Sequence, residues 1–550
     1  WARGAAAVDT GALPVELGAL DAVAETLRLL RSGKRGRAAD RATLALDAAA
    51  WPEAPRASSG LAARRLAADL SLGLVRWDEV DEAGAAAAAR AAVRGADSAL
   101  DRGDRLLALA RLGDGLSLLF HRARHAEVPR SELVEDPAGY LSCLRGSRTL
   151  HDLLLPERPR TVAASSLARP GARPRVLVAT GAYGDFHAGV VEALQGVADV
   201  TVCDPVAEHE ELGRKVLDPQ SLPALAVLAG SLDQEGAVDE GRATWAGRGL
   251  GSWVSRVARS LQEQLAGHDV VLADWADPAT VWISHLCPAP RLVVRVHALD
   301  ALDPWLHLVQ WERVERVVTV SEPLRSLVVD LLAAVSGADV PVEVVPHAVP
   351  TLPGLARGKT DAARTTLGMI GWGRRVKDVH WTLDLLERDP AWQLVLVGAD
   401  FPAASNPVVE PFVTRLRERL ASPALRDRVQ IVGHVEDVGE PLRRIGVIVS
   451  ASVRESWHVG LVEGAASGAV PVVRDWPLLA SRGGPRTLFP DEWVVDDLDG
   501  AEARVRRVTA PGTWEREGAR AREQAMTLFD PDAVAETYRR LLLDGRASAG

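Results

Sequence analysis

Two glutamates eight positions apart, Glu455 and Glu463, stand in the stretch VIVSASVRESWHVGLVEGAASGAVPVV that covers residues 447–473. Its β-branched ends read as buried strands, and the part between them as a loop followed by a short helix. On one continuous helix the carboxyls would lie about 12 Å apart in height. With Glu455 on the loop, both face one crevice at the carboxyl end of the strand, where open α/β sheets take their ligands. A carboxylate only accepts hydrogen bonds and can take two hydroxyl hydrogens at once, which suits the adjacent hydroxyls of a ribose or hexose. The helix start between them, at His458, Val459 and Gly460, offers free backbone N–H groups to a diphosphate.

Upstream, Gly371, Trp372, Gly373, Arg374, Arg375, Val376 and Lys377 follow a buried run and precede an amphipathic segment. Glycines there let the backbone approach a phosphate, and the cations would neutralise a departing diphosphate. Three further features sit at strand ends: Gly433, His434 and Val435; Gly181 and Gly184 in a glycine turn; and His297, which closes the run LVVRVH.

The elements that must position these groups are legible as a change of pattern along the chain. From Gly11 to about Leu155 apolar residues recur at three- and four-residue spacing, as at Val15, Leu20, Val23, Leu27 and Leu30, so an all-α domain is expected over 1–155. It includes helical pieces near 60–75, 84–95 and 103–124. Residues 156–174, rich in Pro, Arg, Ser and Gly, read as a linker. Short β-branched runs then alternate with amphipathic segments: 176–180, 200–203, 270–274, 292–297 and 317–320, and, after a Pro/Gly-rich break at 345–360, 366–371, 394–398, 429–433, 447–450 and 470–473. That alternation predicts βαβ units and two parallel sheets in tandem, over 175–350 and 351–550. Helices over 513–529 and 531–543 close the second domain, the latter capped by Asp530 with Pro531 at its first position.

ESWHVGLVEG followed by ASGAVPVV resembles the paired-glutamate motif of retaining GT-B glycosyltransferases of the family-4 type. The resemblance covers roughly Pro174 to Leu543, is strongest over 366–475 and does not reach the helical first 150 residues. It implies an α/β GT-B fold: two tandem Rossmann-like domains with a cleft between them, the second holding a nucleotide-sugar donor. By the same resemblance Glu463 would bind the donor ribose and Glu455 would lie by the transferred sugar. Lys377 with Arg374 or Arg375 would hold the donor phosphates, and 433–435 would meet the base through the backbone. Gly181 and Gly184 resemble the short glycine loop facing donor and acceptor, and His297 resembles the histidine beside the donor sugar. Two departures stand out: Trp457 and His458 occupy places commonly held by Phe and Gly, and one extra residue precedes Pro471.

The implied activity is transfer of a sugar, with retention, from a UDP- or GDP-sugar to a glycan or lipid-linked acceptor hydroxyl, without cofactor or metal. Surface polysaccharide or glycolipid synthesis is the expected setting. A nucleotide-sugar epimerase and a non-catalytic nucleotide-sugar-binding scaffold are the alternatives on the same architecture.

The remaining signals exclude other classes. A formal net charge of −10 gives no general attraction to nucleic acid. Three cysteines, Cys143, Cys203 and Cys287, are odd in number and far apart, which argues against a disulfide framework and for buried thiols in a reducing cytoplasm. The chain lacks an apolar run of membrane-spanning length; peripheral attachment at the inner face of a membrane, or self-association, would fall to the helical domain. His121 and His125 have the i, i+4 spacing of a metal pair, but Arg122 stands where a metalloprotease has glutamate, and both are read as surface histidines. Asp497, Asp499, Asp530 and Asp532 form two D-x-D patterns away from any central strand end and are not read as metal ligands.

Overall fold

The computed structural model describes residues 80–126, 128–156, 172–181, 186–213, 220–232, 247–287, 291–402 and 409–544, with scattered positions between 63 and 70 and at 217 and 245. The helices expected before residue 63, most of the 156–174 linker and Gly184 lie outside the described residues.

Two six-stranded parallel sheets carry the chain. The first contains β1 (Arg175–Ala179), β2 (Asp199–Cys203), β3 (Val270–Ala273), β4 (Arg291–Val296), β5 (Arg316–Thr319) and β6 (Val342–Val344), in the order β2-β1-β3-β4-β5-β6. The second contains β7 (Thr366–Ile370), β8 (Gln393–Val397), β9 (Val429–Gly433), β10 (Val447–Ser450), β11 (Val470–Arg474) and β12 (Val494–Val495), in the order β12-β11-β10-β7-β8-β9. Central strands such as β3, β4 and β10 are buried at every position, as strands covered by helices on both faces must be. Each sheet reverses its winding once, between β1 and β3 in the first and between β7 and β10 in the second. Crevices at such reversals are where sheets of this kind bind ligands. The architecture is the α/β GT-B fold, with helices in front of it.

The described helical part, from Glu82 to Leu154, opens with a hairpin of Glu82–Asp101 against Arg105–Leu119. Asp81 and Asp104 cap the two helices, accepting from the amides of Gly84 and Leu107. The hairpin does not stand apart from the sheets. Leu109, Leu112 and Leu116 share one apolar core with Leu222, Leu225 and Val254 of the first lobe. His125, expected at the surface, is 2% exposed. Its ring bonds Ser131 Oγ (2.7 Å) and the Leu119 carbonyl (2.6 Å), partners that pattern reading could not supply. Burial, opposed by the Leu119 bond, lowers its pKa to about 3, so it is neutral. Of the three thiols only Cys287 is buried; Cys143 and Cys203 are half-buried, because each lies at the margin of the core rather than within it.

The last helix, Pro531–Leu543, departs from expectation in a second way. Asp530 caps it as read, accepting from the amides of Asp532 and Ala533. It packs on the first sheet, however, not the second: Val534, Tyr538, Leu541 and Leu542 join Val176, Val178, Val190 and Val293 in one core. Arg291 of β4 donates to the carbonyls of Leu541 and Leu542 (3.0 and 2.8 Å), satisfying acceptors at the helix C-terminus. Beneath it Arg295, fully buried, pairs with Asp274 and donates to Tyr538 Oη (2.9 Å) and to the Phe186 carbonyl (2.8 Å). Tyr538→Phe leaves one guanidinium N–H without an acceptor in a dry site. It is expected to lower stability by about 1–2 kcal/mol, seen as a lower urea midpoint at unchanged slope; an unchanged midpoint would show that the bond contributes nothing.

Candidate active site

β7 and β10 are neighbours, and the loops that leave their carboxyl ends meet. The Val453 amide donates to the Val376 carbonyl (2.9 Å), which joins the basic turn to the loop carrying Glu455. Lys377 Nζ then donates to Glu455 Oε1, which also accepts from Ser452 Oγ (2.7 Å). The lysine and glutamate side chains are 16% and 12% exposed. Burial pushes the Glu455 pKa up, but Lys377, followed by His458 and the hydrogen bonds from Lys377 and Ser452, outweighs it and holds the carboxyl below its usual value. Glu455 is therefore ionised at neutral pH and committed to a cation.

Glu463 sits differently. It lies on the helix Val459–Ala466, half-buried, and among the described residues its side chain makes no hydrogen bond or ion pair. Burial raises its pKa to about 7. At the start of that helix the amides of Leu461 and Val462 both reach the His458 carbonyl, whereas those of Val459 and Gly460 have no acceptor among the described residues. A Cβ on Gly460 would stand 2.6 Å from Ile370 Cβ, and one on Gly464 2.5 Å from Ile448 Cγ1. The glycines thus let the helix lie directly on β7 and β10, which brings its free amides to the reversal point. His458 is buried, bonded through Nδ1 to Ser450 Oγ (2.7 Å), and burial together with Lys377 lowers its pKa to about 4.

The glycine turn is as tightly specified. Gly371 has φ +77° and donates to the Val397 carbonyl (2.8 Å), while Gly398, at φ +117°, donates to the Gly433 carbonyl (2.7 Å). These bonds stitch the ends of β7, β8 and β9 into one rim. A Cβ on Gly373 would fall 2.1 Å from the Ala399 oxygen, which is backbone and cannot swing aside. Gly373→Ala is expected to cost about 1–3 kcal/mol and to lower the melting temperature by several degrees; a wild-type melt would show the turn to be adaptable. Arg374 is exposed and Arg375 half-buried, both with partners. His434 is exposed, and Val435 packs at the edge of the core.

In the first lobe His297 is buried, and its Nε2 lies 3.0 Å from the Asp274 carbonyl. A carbonyl only accepts, so Nε2 is the donor in this contact. Trp275 stacks on it at 4.0 Å, and His347 lies parallel at 5.7 Å. A Cβ on Gly181 would collide with Trp275, so this glycine admits the indole. The rings continue across the lobes: His347 meets Trp457 at 5.3 Å, and Trp457 meets Phe529 at 5.1 Å. His347 Nδ1 and Trp457 Nε1 are buried without hydrogen-bond partners among the described residues. The structure thus brings Glu455, Lys377 and His458 together, begins at Val459 the helix that carries Glu463, and places His297 across a layer of aromatic rings.

Ser452, Gly398, Trp275 and His347 were not foreseen. A serine three residues before the glutamate, and a glycine ending β8, were visible signals; His347 lay within a Pro-rich break that read only as a connector. Among the described residues no group of three or more His, Cys, Asp and Glu could hold a metal ion, and no helix is long and apolar enough to cross a membrane.

Residues 364–506, which span the second sheet and hold Lys377, Glu455, His458 and Glu463, match the family model described as glycosyl transferases group 1. None of the curated proteins matches the chain. Solved structures similar to it include Anabaena Alr3699/HepE in complex with UDP and glucose, at 13% identity over 67% of this chain and 99% of that one, TM-score 0.49. Sucrose-phosphate synthase from Thermosynechococcus elongatus is similar at 17% identity over 67% and 99%, TM-score 0.47. The pneumococcal O-GlcNAc transferase GtfA in complex with UDP and GlcNAc is similar at 13% over 52% and 59%, TM-score 0.41.

Proposed function

We propose that the protein transfers a sugar from a nucleotide-sugar to an acceptor hydroxyl with retention at the anomeric carbon, and that the donor lies at the β7/β10 reversal point. The observation that carries this reading is a helix on which, among the described residues, the Glu463 carboxylate and the first amides, those of Val459 and Gly460, have no hydrogen-bond partner. Such a carboxylate accepts from ribose hydroxyls, and such amides from a helix start bind phosphate oxygens. Lys377 and Arg374 or Arg375 stand where negative charge grows on the departing diphosphate. Glu455, ionised and held by Lys377, lies by the transferred sugar, and His297 faces it from the first lobe. The family match over 364–506 supports a transferase, and the resemblance of the two glutamates supports retention. An acceptor in surface polysaccharide or glycolipid synthesis at the cytoplasmic face of a membrane completes the proposal.

Thermal unfolding with a panel of UDP-, GDP-, ADP- and CDP-sugars tests it. A ligand at about 100 times its Kd adds about 2.7 kcal/mol, so one nucleotide series is expected to raise the melting temperature by several degrees. No shift from any member would count against a donor site. With the donor named, the anomeric configuration of the product decides retention, and conversion of the nucleotide-sugar without acceptor would point to an epimerase instead.

A further inference from the structure

The loop that carries Glu455 is gripped from outside its own lobe. Arg454, the residue before it, donates through Nε to the Ala126 carbonyl of the helical region (3.1 Å). Arg482, at the end of the 3-10 turn Pro477–Arg482, donates from Nε and Nη2 to the Val134 carbonyl (2.9 and 2.7 Å). Its Nη1 reaches Ser326 Oγ (3.0 Å) and Asp330 (2.7 Å) on the first-lobe helix Glu322–Val335. One guanidinium thus joins all three parts of the molecule. The turn that bears it is tied to the same loop, because the Leu478 amide donates to the Val453 carbonyl (3.2 Å).

The receiving side is stiff. Between Leu119 and Tyr140 a buried network fixes the chain: His125 to Ser131 and Leu119, Tyr140 Oη to the Leu119 carbonyl (2.6 Å), and Arg124 to Tyr140 Oη (2.6 Å). Ala126 and Val134 lie within that segment, so their carbonyl oxygens are fixed acceptors. Backbone carbonyls do not titrate, and a planar guanidinium meets them in a defined direction.

We propose that this segment of the helical region braces the Val453–His458 loop, with Arg454 and Arg482 as positioning residues that hold Glu455 in register with Lys377. The inference rests on the donor-site reading above for its catalytic meaning, whereas the brace itself is a statement about the loop. The helical region is then part of the catalytic apparatus, rather than an appended module.

Hydrogen–deuterium exchange on the full-length protein, paired with titration of the nucleotide-sugar that stabilises the wild type, tests both parts. In Arg454→Ala, exchange of amides 453–458 is expected to rise at least tenfold, with strand 366–370 unchanged, and affinity to fall about tenfold. Arg454→Lys, which keeps one donor, is expected to restore most of each. Unchanged exchange in the loop would overturn the brace, and faster exchange with unchanged affinity would overturn the positioning role of Arg454 toward the donor site. If Arg454→Ala unfolds the chain, faster exchange throughout 366–370 reveals it and Arg482→Ala carries the same comparison. If no nucleotide-sugar binds wild type, the proposed function fails, and the loop's exchange alone decides the brace.

Discussion

Glu463→Gln is expected to make the protein more stable at pH 8 while removing most of its affinity for a nucleotide-sugar. The folded-state pKa of Glu463 is raised from 4.5 to about 7, by burial. The unfolded chain therefore releases this proton first as pH rises, and stability falls between about pH 4.5 and 7 before levelling off. A shift of that size corresponds to about 3 kcal/mol at pH 8, which glutamine, carrying no charge, would recover. In the same substitution one of the two acceptor oxygens becomes a donor, so a ribose diol loses its bidentate partner, at about 2 kcal/mol or more in binding. Urea unfolding at pH 5 and pH 8 checks the first part: the two proteins should nearly coincide at pH 5 and diverge at pH 8. Equal stability at both would mean that the carboxylate is better solvated than its surroundings imply.

Lys377→Met is expected to have the opposite signature, with both stability and turnover falling. Removing one member of a largely buried ion pair leaves the other charge without compensation, at about 2–4 kcal/mol after allowing for its residual exposure. Glu455 would retain only Ser452, and its carboxyl would rise from below its usual value as burial acts unopposed. In wild type the lowered pKa means that the pair's stabilisation is full above about pH 4.5 and is lost as pH falls below it; in Lys377→Met that acid-side loss should disappear. Turnover is expected to fall about 100- to 1000-fold, as when one charge-stabilising donor is removed from an active site. Full turnover in a folded Lys377→Met would remove the lysine from the phosphate-stabilising role.

Much of the second lobe was legible because its information is local. A five-residue apolar run, a glycine turn, a cation and a spaced pair of glutamates each declare themselves within ten residues, and β7, β10 and the helix between the glutamates follow. β6 and β12 were missed because they are edge strands three and two residues long, too short for an apolar run to declare itself, and β6 is also half-exposed. His125 was misread because its burial depends on the Leu119 carbonyl and on Tyr140, brought near by folding. The helix Pro531–Leu543 was correctly bounded but assigned to the wrong sheet. Periodicity shows which face of a helix is apolar, not which of two sheets will cover it. The same limit hid the ring layer from Trp275 to Phe529, whose members come from five separate segments.

That last helix also changes how the two halves can be taken apart. The backbone passes between lobes once before β7 and again between Leu528 and Pro531, so the first lobe is not a contiguous piece of chain. A cut in the exposed segment 356–358 would leave a C-terminal fragment that carries its own plug for the other: Val534, Tyr538 and Leu541 seated on β1 and β4, with Arg291 closing the helix end. The enzyme is in that sense already divided into two complementary parts that recognise each other, and a C-terminal fusion that displaced these thirteen residues would uncover an apolar sheet face in the lobe farthest away along the sequence.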